Sequence, residues 1–216
     1  MKHIASRGLL SLCLLAVSVQ QVLAHSADEH AGHTAPASNT QEHAQVKFAN
    51  VPLLDQNGKT VRLEQDLVQD KIVVISFIYT SCTTVCPVVS SIMGKVQKQL
   101  GARVGNEVQL VSISIDPQRD DPKRLQDYAR AFQKGPGWSW LTGSPQSINE
   151  TLKGLGSFSG DLKNHQPLIL VGDGNSRHWM RYYGFTDPTV LAKEVEKLSG
   201  QRTHAKHTAI AMEQQP

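Results

Sequence analysis

Residues 72–78 read Ile-Val-Val-Ile-Ser-Phe-Ile, and Cys82, Cys86 and Pro87 follow shortly after. A β-branched run that does not alternate with polar residues makes a strand that must be covered on both faces. The chain therefore needs a sheet with a layer on each side. After Pro87, which suits a first helical turn, Val88, Val89, Ile92, Met93, Val96 and Leu100 recur at helical spacing. Val108 to Ile115 is a second buried strand. Strand, helix and strand in this order predict a right-handed parallel βαβ unit.

The rest of the chain fits around that unit. Val51–Leu54 and Thr60–Leu63, joined by Asp55-Gln56-Asn57-Gly58, predict an N-terminal hairpin with an Asn-Gly turn. Asp121-Pro122 opens a second helix running to Phe132, and Ile148–Leu155 forms a third. Leu168–Val171 and Trp179–Tyr183 make a closing hairpin, and Thr189–Leu198 a last helix. Two parallel strands, an antiparallel hairpin and helices on both faces are an α/β, thioredoxin-like layout, a central mixed sheet flanked by helices. Trp138, Trp140, Trp179 and Met93 read as packing residues.

The ends read differently. A short basic start followed by the mainly apolar stretch Gly8–Ala24 has the pattern of a signal peptide cleaved before His25, with an uncleaved N-terminal anchor as the alternative. Cys13 follows the large Leu12 and is not a convincing lipid-attachment site. Residues 25–45 contain no aliphatic side chain larger than alanine and are expected to form a disordered, histidine-rich tail. The domain then spans 46–198, with a second disordered tail over 199–216. The protein is thus expected to be exported to a bacterial periplasm, touching a membrane only through an uncleaved anchor.

Charge excludes little but points to no nucleic-acid partner. The formal net charge is +3, two of it from Lys2 and Arg7 in the leader, and the remaining Lys and Arg are scattered among Asp and Glu.

Of three cysteines, the mature chain keeps Cys82 and Cys86, too few for a disulfide framework. They sit where a buried strand gives way to a helix, the end of an open α/β sheet where sites form. Four residues apart at a helix start, they can form a disulfide or share one metal ion. The helix N-terminus favours the thiolate that both reactions need, and thiolates select soft metals such as Cu(I) or zinc. His165, just before the Leu168 strand, is the candidate third ligand, whereas His178 is expected to be structural.

Thr80-x-Cys82-x-x-x-Cys86-Pro87, the run Ser114-Ile-Asp116-Pro-Gln-Arg119-Asp120-Asp121-Pro122, and His165 ahead of Leu-Ile-Leu-Val together resemble the SCO/SenC family over Val51 to Leu198. The resemblance implies a thioredoxin-like fold that binds copper, Cu(I) or Cu(II), through Cys82, Cys86 and His165. It further implies a role at the copper centre of cytochrome c oxidase, with a dithiolate copper subunit as client and a thiol reductant as second partner. The acidic loop Asp116–Asp120 would line the site or receive the partner. The chain departs from the family at Thr83, where proline is common, and at Asn164, where aspartate commonly precedes the histidine.

The expected function is therefore copper delivery rather than enzymic turnover. The main rival is a thiol-disulfide reductase using Cys82 and Cys86 as its redox-active pair, although dedicated oxidoreductases usually carry Cys-x-x-Cys. A thiol peroxidase is the third option. His25, His30, His33 and His43 could collect metal weakly, as could His204 and His207, but a solubilising role serves equally well.

Overall fold

The computed structural model describes residues 40–133, 135–157, 162, 165–176 and 178–213. The expected leader and most of the expected histidine-rich tail lie outside these residues. Among the described residues no helix is long and apolar enough to cross a membrane.

The expected central strand is β4 (Ile72–Ile78), completely buried. It pairs in parallel with β5 (Val108–Ser114) and antiparallel with β7 (Leu168–Asp173). Helix α1 (Val85–Leu100) connects β4 to β5 as the βαβ pattern requires. The hairpin partner of β7 is β8 (Trp179–Tyr183), and the N-terminal hairpin is β2 (Leu53–Asp55) with β3 (Thr60–Val61). Its turn has Gly58 at φ 77°, where glycine carries no steric cost.

Alternate residues of β4 enter two cores. Ile72, Val74 and Ile78 meet Val89, Met93 and Val96 of α1, Leu125 of α2 (Pro122–Ala129), and Leu191 and Val195 of α4 (Pro188–Glu213). Val73, Ile75 and Phe77 instead meet Ile148 and Leu152 of α3 (Pro145–Gly154). Both faces are covered, and the fold is thioredoxin-like.

Three features differ from the sequence expectations. A third parallel strand, β6 (Trp138–Thr142), pairs with β5 and joins it to β2. The two tryptophans read only as packing residues do pack, stacked with ring centroids 4.6 Å apart, but they do so as members of this strand.

Second, part of the stretch expected to be a disordered tail forms β1 (Gln41–His43), antiparallel to β8. Aliphatic burial was the wrong criterion here, because main-chain pairing to an exposed edge holds this strand. Polar contacts add to it: Glu42 accepts from Arg181 and from the Tyr183 hydroxyl, each at 2.8 Å.

Third, α4 continues to Glu213 through residues expected to form a tail. Residues 199–208 present no apolar stripe and most are exposed, which removes the burial signal but not the helix. The extension is fastened by Arg202, which donates to the Asp70 carbonyl at 2.9 Å and to Asp173 Oδ1 at 2.5 Å.

Candidate functional site

The parallel strands β4, β5 and β6 end on the same edge of the sheet, where β4 runs out into the turn 79–84 and α1 begins. The first N–H groups of a helix have no partner within it. Thr84, at the N-cap position, makes no side-chain cap. Cys82 takes over that task, its Sγ accepting from the Cys86 N–H at 3.3 Å. The same four-residue spacing therefore places the two sulfurs together and aims helix N–H groups at the first of them.

This geometry separates the two thiols. Burial pushes the Cys82 thiol up, but hydrogen bonds from the Cys86 N–H and thiol, the Thr84 N–H and the Tyr79 side chain outweigh it and bring it down to about 7. Burial pushes the Cys86 thiol up to about 12, and the neighbouring Cys82 adds to the effect. The negative charge of Asp120 acts in the same direction. Cys82 is thus substantially thiolate at neutral pH while Cys86 keeps its proton. Both are free thiols.

The two carboxylates of the acidic loop prove to be internal, while Gln118 and Arg119 between them are exposed. Asp116 and Asp120 are 4% and 1% exposed, so neither offers a partner a carboxylate surface. Asp116 accepts from Arg119 at 2.9 Å, and it is the Arg119 side chain that reaches solvent. Asp120 instead accepts from the Thr80 N–H and hydroxyl, on the cysteine turn, and from the Ser114 hydroxyl. Asp121 caps α2 by accepting from the Arg124 N–H at 2.7 Å.

His165 occupies the segment before β7, half-buried, its N–H donating to the Leu162 carbonyl at 3.4 Å. Its ring lies edge to face with Phe77, 6.3 Å between centroids. Burial lowers its pKa below the ordinary value, leaving the imidazole neutral and a ring nitrogen free to donate at neutral pH. Phe77 belongs to the core on the α3 side, whereas the cysteines belong to the core on the α1 side. The structure accordingly brings Cys82 and Cys86 together and leaves His165 apart from them. Among the described residues no three His, Cys, Asp or Glu side chains are close enough to share a metal ion.

The remaining expectations are quickly placed. His178 is structural, its Nε2 standing 3.3 Å from Glu194 Oε1 and so tying the hairpin to α4. Met93 is fully buried. His43 lies in β1 with its ring 5.2 Å from that of His178, and His204 and His207 are exposed on α4. His25, His30, His33 and Asn164 lie outside the described residues. A cavity of about 810 Å³ opens beside Phe48, Val68 and Trp179, with no cysteine or histidine in its lining. Chemistry, not volume, marks the site.

Tyr79 was not assigned to the site by the sequence, and Asp120 was placed there only as part of the acidic loop, without its contact to Thr80. Tyr79 is flagged only by standing three residues before Cys82. Asp120 lies 40 residues from Thr80 in the chain, and its contact exists only after β4 and β5 pair.

Comparison with known proteins identifies the family. The sequence profile of the SCO1/SenC family matches residues 37–200. An SCO1 homologue of Bacillus subtilis is 36% identical over 110 residues, which cover 50% of this chain and 55% of that protein. The chain thus spans about half the length of that relative. The structure of ScoI from Bradyrhizobium japonicum with copper bound is 26% identical, with TM-score 0.59, covering 69% of this chain and 98% of that one. BsSco, a member of the Sco family of cytochrome c oxidase assembly proteins described with a disulfide switch, is 25% identical with TM-score 0.61, covering 74% of this chain and 96% of its own. With the family profile spanning nearly the whole described domain, around a dithiol at the first turn of α1, the chain belongs to the SCO1/SenC family.

Proposed function

We propose that this protein binds copper through Cys82, Cys86 and His165 and delivers it to, or prepares, the copper centre of cytochrome c oxidase. The observation that carries the reading is the sulfur pair at the start of α1, one thiol near 7 and the other near 12, with a neutral imidazole on the adjoining β7 segment. The donor chemistry fits copper: two sulfurs favour Cu(I), and an imidazole suits either oxidation state. Copper here is cargo. The arriving cation stabilises the thiolate of Cys86, so binding releases its proton. His165 must move from Phe77 to complete the set. The relatives' own descriptions, one with copper bound and one as a cytochrome c oxidase assembly protein, support the assignment. Export to the periplasm, cleavage after Ala24 and an oxidase subunit as client belong to the same proposal.

The unequal thiols also favour a second reading, a thiol-disulfide reductase. The Cys82 thiolate attacks a client disulfide and releases one client thiolate. Cys86 then loses its proton, attacks the mixed disulfide and releases the other. The client leaves as a dithiol and the protein as a Cys82–Cys86 disulfide, which an external thiol reductant must reset.

Loading the reduced protein with Cu(I) and mixing it with a dithiolate client domain separates the two. Copper transfer that is lost in His165→Ala supports delivery. Catalytic reduction of client disulfide that survives His165→Ala, without copper transfer, would replace delivery by the reductase.

A further inference from the structure

Asp120 is almost completely buried, at 1% exposure, and the donors described at its carboxylate are neutral, with the Arg119 guanidinium close enough to feel its charge but not bonded to it. Oδ2 accepts from the Thr80 N–H at 3.0 Å and from the Ser114 hydroxyl at 2.6 Å, and Oδ1 accepts from the Thr80 hydroxyl at 2.5 Å. Its backbone is fixed as well: the N–H donates to the Asp116 carbonyl at 2.9 Å, and the carbonyl accepts from the Thr142 hydroxyl at 2.6 Å. Thr80 follows β4, Ser114 ends β5 and Thr142 ends β6, so one residue joins the ends of all three parallel strands. The guanidinium next door, Arg119, pairs with Asp116 instead. Among the described residues no ion pair to Asp120 is formed.

A buried carboxylate with no directly bonded cation is costly, and an apolar contact could join strand ends at lower cost. Two features explain a carboxylate here. It is acceptor-only, so it satisfies three donors that an amide would meet with an N–H of its own. It also sets a negative charge beside a site that takes a cation, and that charge is felt at Cys86.

We infer that Asp120 is a positioning residue of the copper site: through Thr80 it fixes the turn that carries Cys82, and its charge stabilises bound copper, the more so the higher the metal's charge. The charge half rests on the copper reading above; the anchoring half does not. The Asp120 carboxylate is therefore a latch inside the protein, while the loop's exposed face is Gln118 and Arg119.

The test uses the full-length reduced protein and the variants Asp120→Asn, Thr80→Val and Thr80→Ser. Amide hydrogen exchange at Thr80 and Cys82 is read first, without metal. Asp120→Asn should accelerate it by about tenfold or more, as loss of a hydrogen bond to a charged group implies. Thr80→Val should do so less, and Thr80→Ser, which keeps the hydroxyl, should restore native exchange. With copper, Asp120→Asn should raise the Cu(II)/Cu(I) midpoint and weaken binding by roughly 10- to 100-fold, as loss of an outer-shell partner does. Thr80→Val should weaken binding while leaving the midpoint in place, since it keeps the charge, and it serves as the second variant should Asp120→Asn fold poorly. Native exchange in both Asp120→Asn and Thr80→Val would overturn the anchoring role. An unchanged midpoint in a folded Asp120→Asn would overturn the charge role. A wild type that binds no copper would overturn the functional reading and the charge role together, with the anchoring role decided by the exchange data alone.

Discussion

The two halves of the candidate site are built in opposite ways. The cysteine turn is tied down on every side: Thr80 to Asp120, the Cys82 N–H to the Tyr79 carbonyl at 3.2 Å, and the Cys82 sulfur to the first turn of α1. The described contacts of His165 itself are one long main-chain bond and the edge of Phe77, and its segment is held two residues further on, where the Pro167 carbonyl accepts from the Gly184 N–H at 2.9 Å. The difference shows how a transient metal site can be arranged. On the proposed copper reading, a fixed dithiol would set the geometry, and an imidazole that leans on an aromatic ring instead of on the sulfurs would close the site when metal arrives and open it when a client takes over. A site rigid in all three donors would hold metal and release it slowly.

The largest effect should come from the fixed half. Cys86→Ser should abolish tight Cu(I) binding, a loss well beyond the ~10- to 100-fold of an outer-shell change. It should leave Cys82 open to alkylation at neutral pH, because the serine hydroxyl and the backbone N–H of residue 86 can still donate to Cys82. Chelator competition and mass spectrometry of the alkylated protein check both statements. Retained tight binding would remove Cys86 from the ligand set and break the comparison.

The next effect belongs to the other half. His165→Ala should weaken Cu(I) by about tenfold or more. It should leave the alkylation rate of Cys82 as it was and alter unfolding stability by no more than about 1 kcal/mol. A His165→Ala variant that loses thiol reactivity would mean that the halves are already coupled without metal.

The pH profile sharpens the contrast between the thiols themselves. Alkylation of Cys82 should rise through about pH 7 and level off above it, with Cys86 unmodified in the same range, since its thiol lies near 12. The sign for stability follows. Cys82 falls from its ordinary 9.0 to about 7 on folding, so its contribution is complete above about pH 9 and is lost as pH falls through 7. Cys86, shifted upward, works against stability above pH 9, so the alkylation rate is the cleaner reading. A midpoint near 9 for Cys82 would mean that the helix N–H groups do not reach its sulfur.

The smallest effect should come from Phe77→Leu. Removing the ring edge under His165 while keeping the core apolar should cost about 1 kcal/mol of stability and change copper affinity less than His165→Ala does.

The fixed half was far more legible in the sequence than the other. Seven buried residues of β4, the Cys82–Cys86 spacing and the apolar face of α1 are local patterns, and local patterns survive without the fold. β6 was harder to read because its tryptophans, Ser139 and the turn Gly135-Pro136-Gly137 alternate too little to announce a strand. β1 and the end of α4 were misread because main-chain pairing and helix continuation need no apolar residues. At the site, Asp120 and Tyr79 reach the thiols only through tertiary structure, so the sequence could place the acidic loop at the site or on a partner's path but not show that the Asp120 carboxylate turns inward to Thr80. His165 was legible only in part. Spacing placed it ahead of β7, while its lean toward Phe77 depends on which core that ring enters.

An anaerobic Cu(I) titration of the reduced protein against a competing chelator tests the central claim most directly. It compares native protein with Cys82→Ser, Cys86→Ser and His165→Ala, and follows the His165 ring resonances at each addition. The account predicts one tight equivalent that is lost in both serine variants and weakened in His165→Ala, with the His165 signals shifting as copper enters. Binding that is indifferent to His165, with its ring signals unmoved, would contradict it.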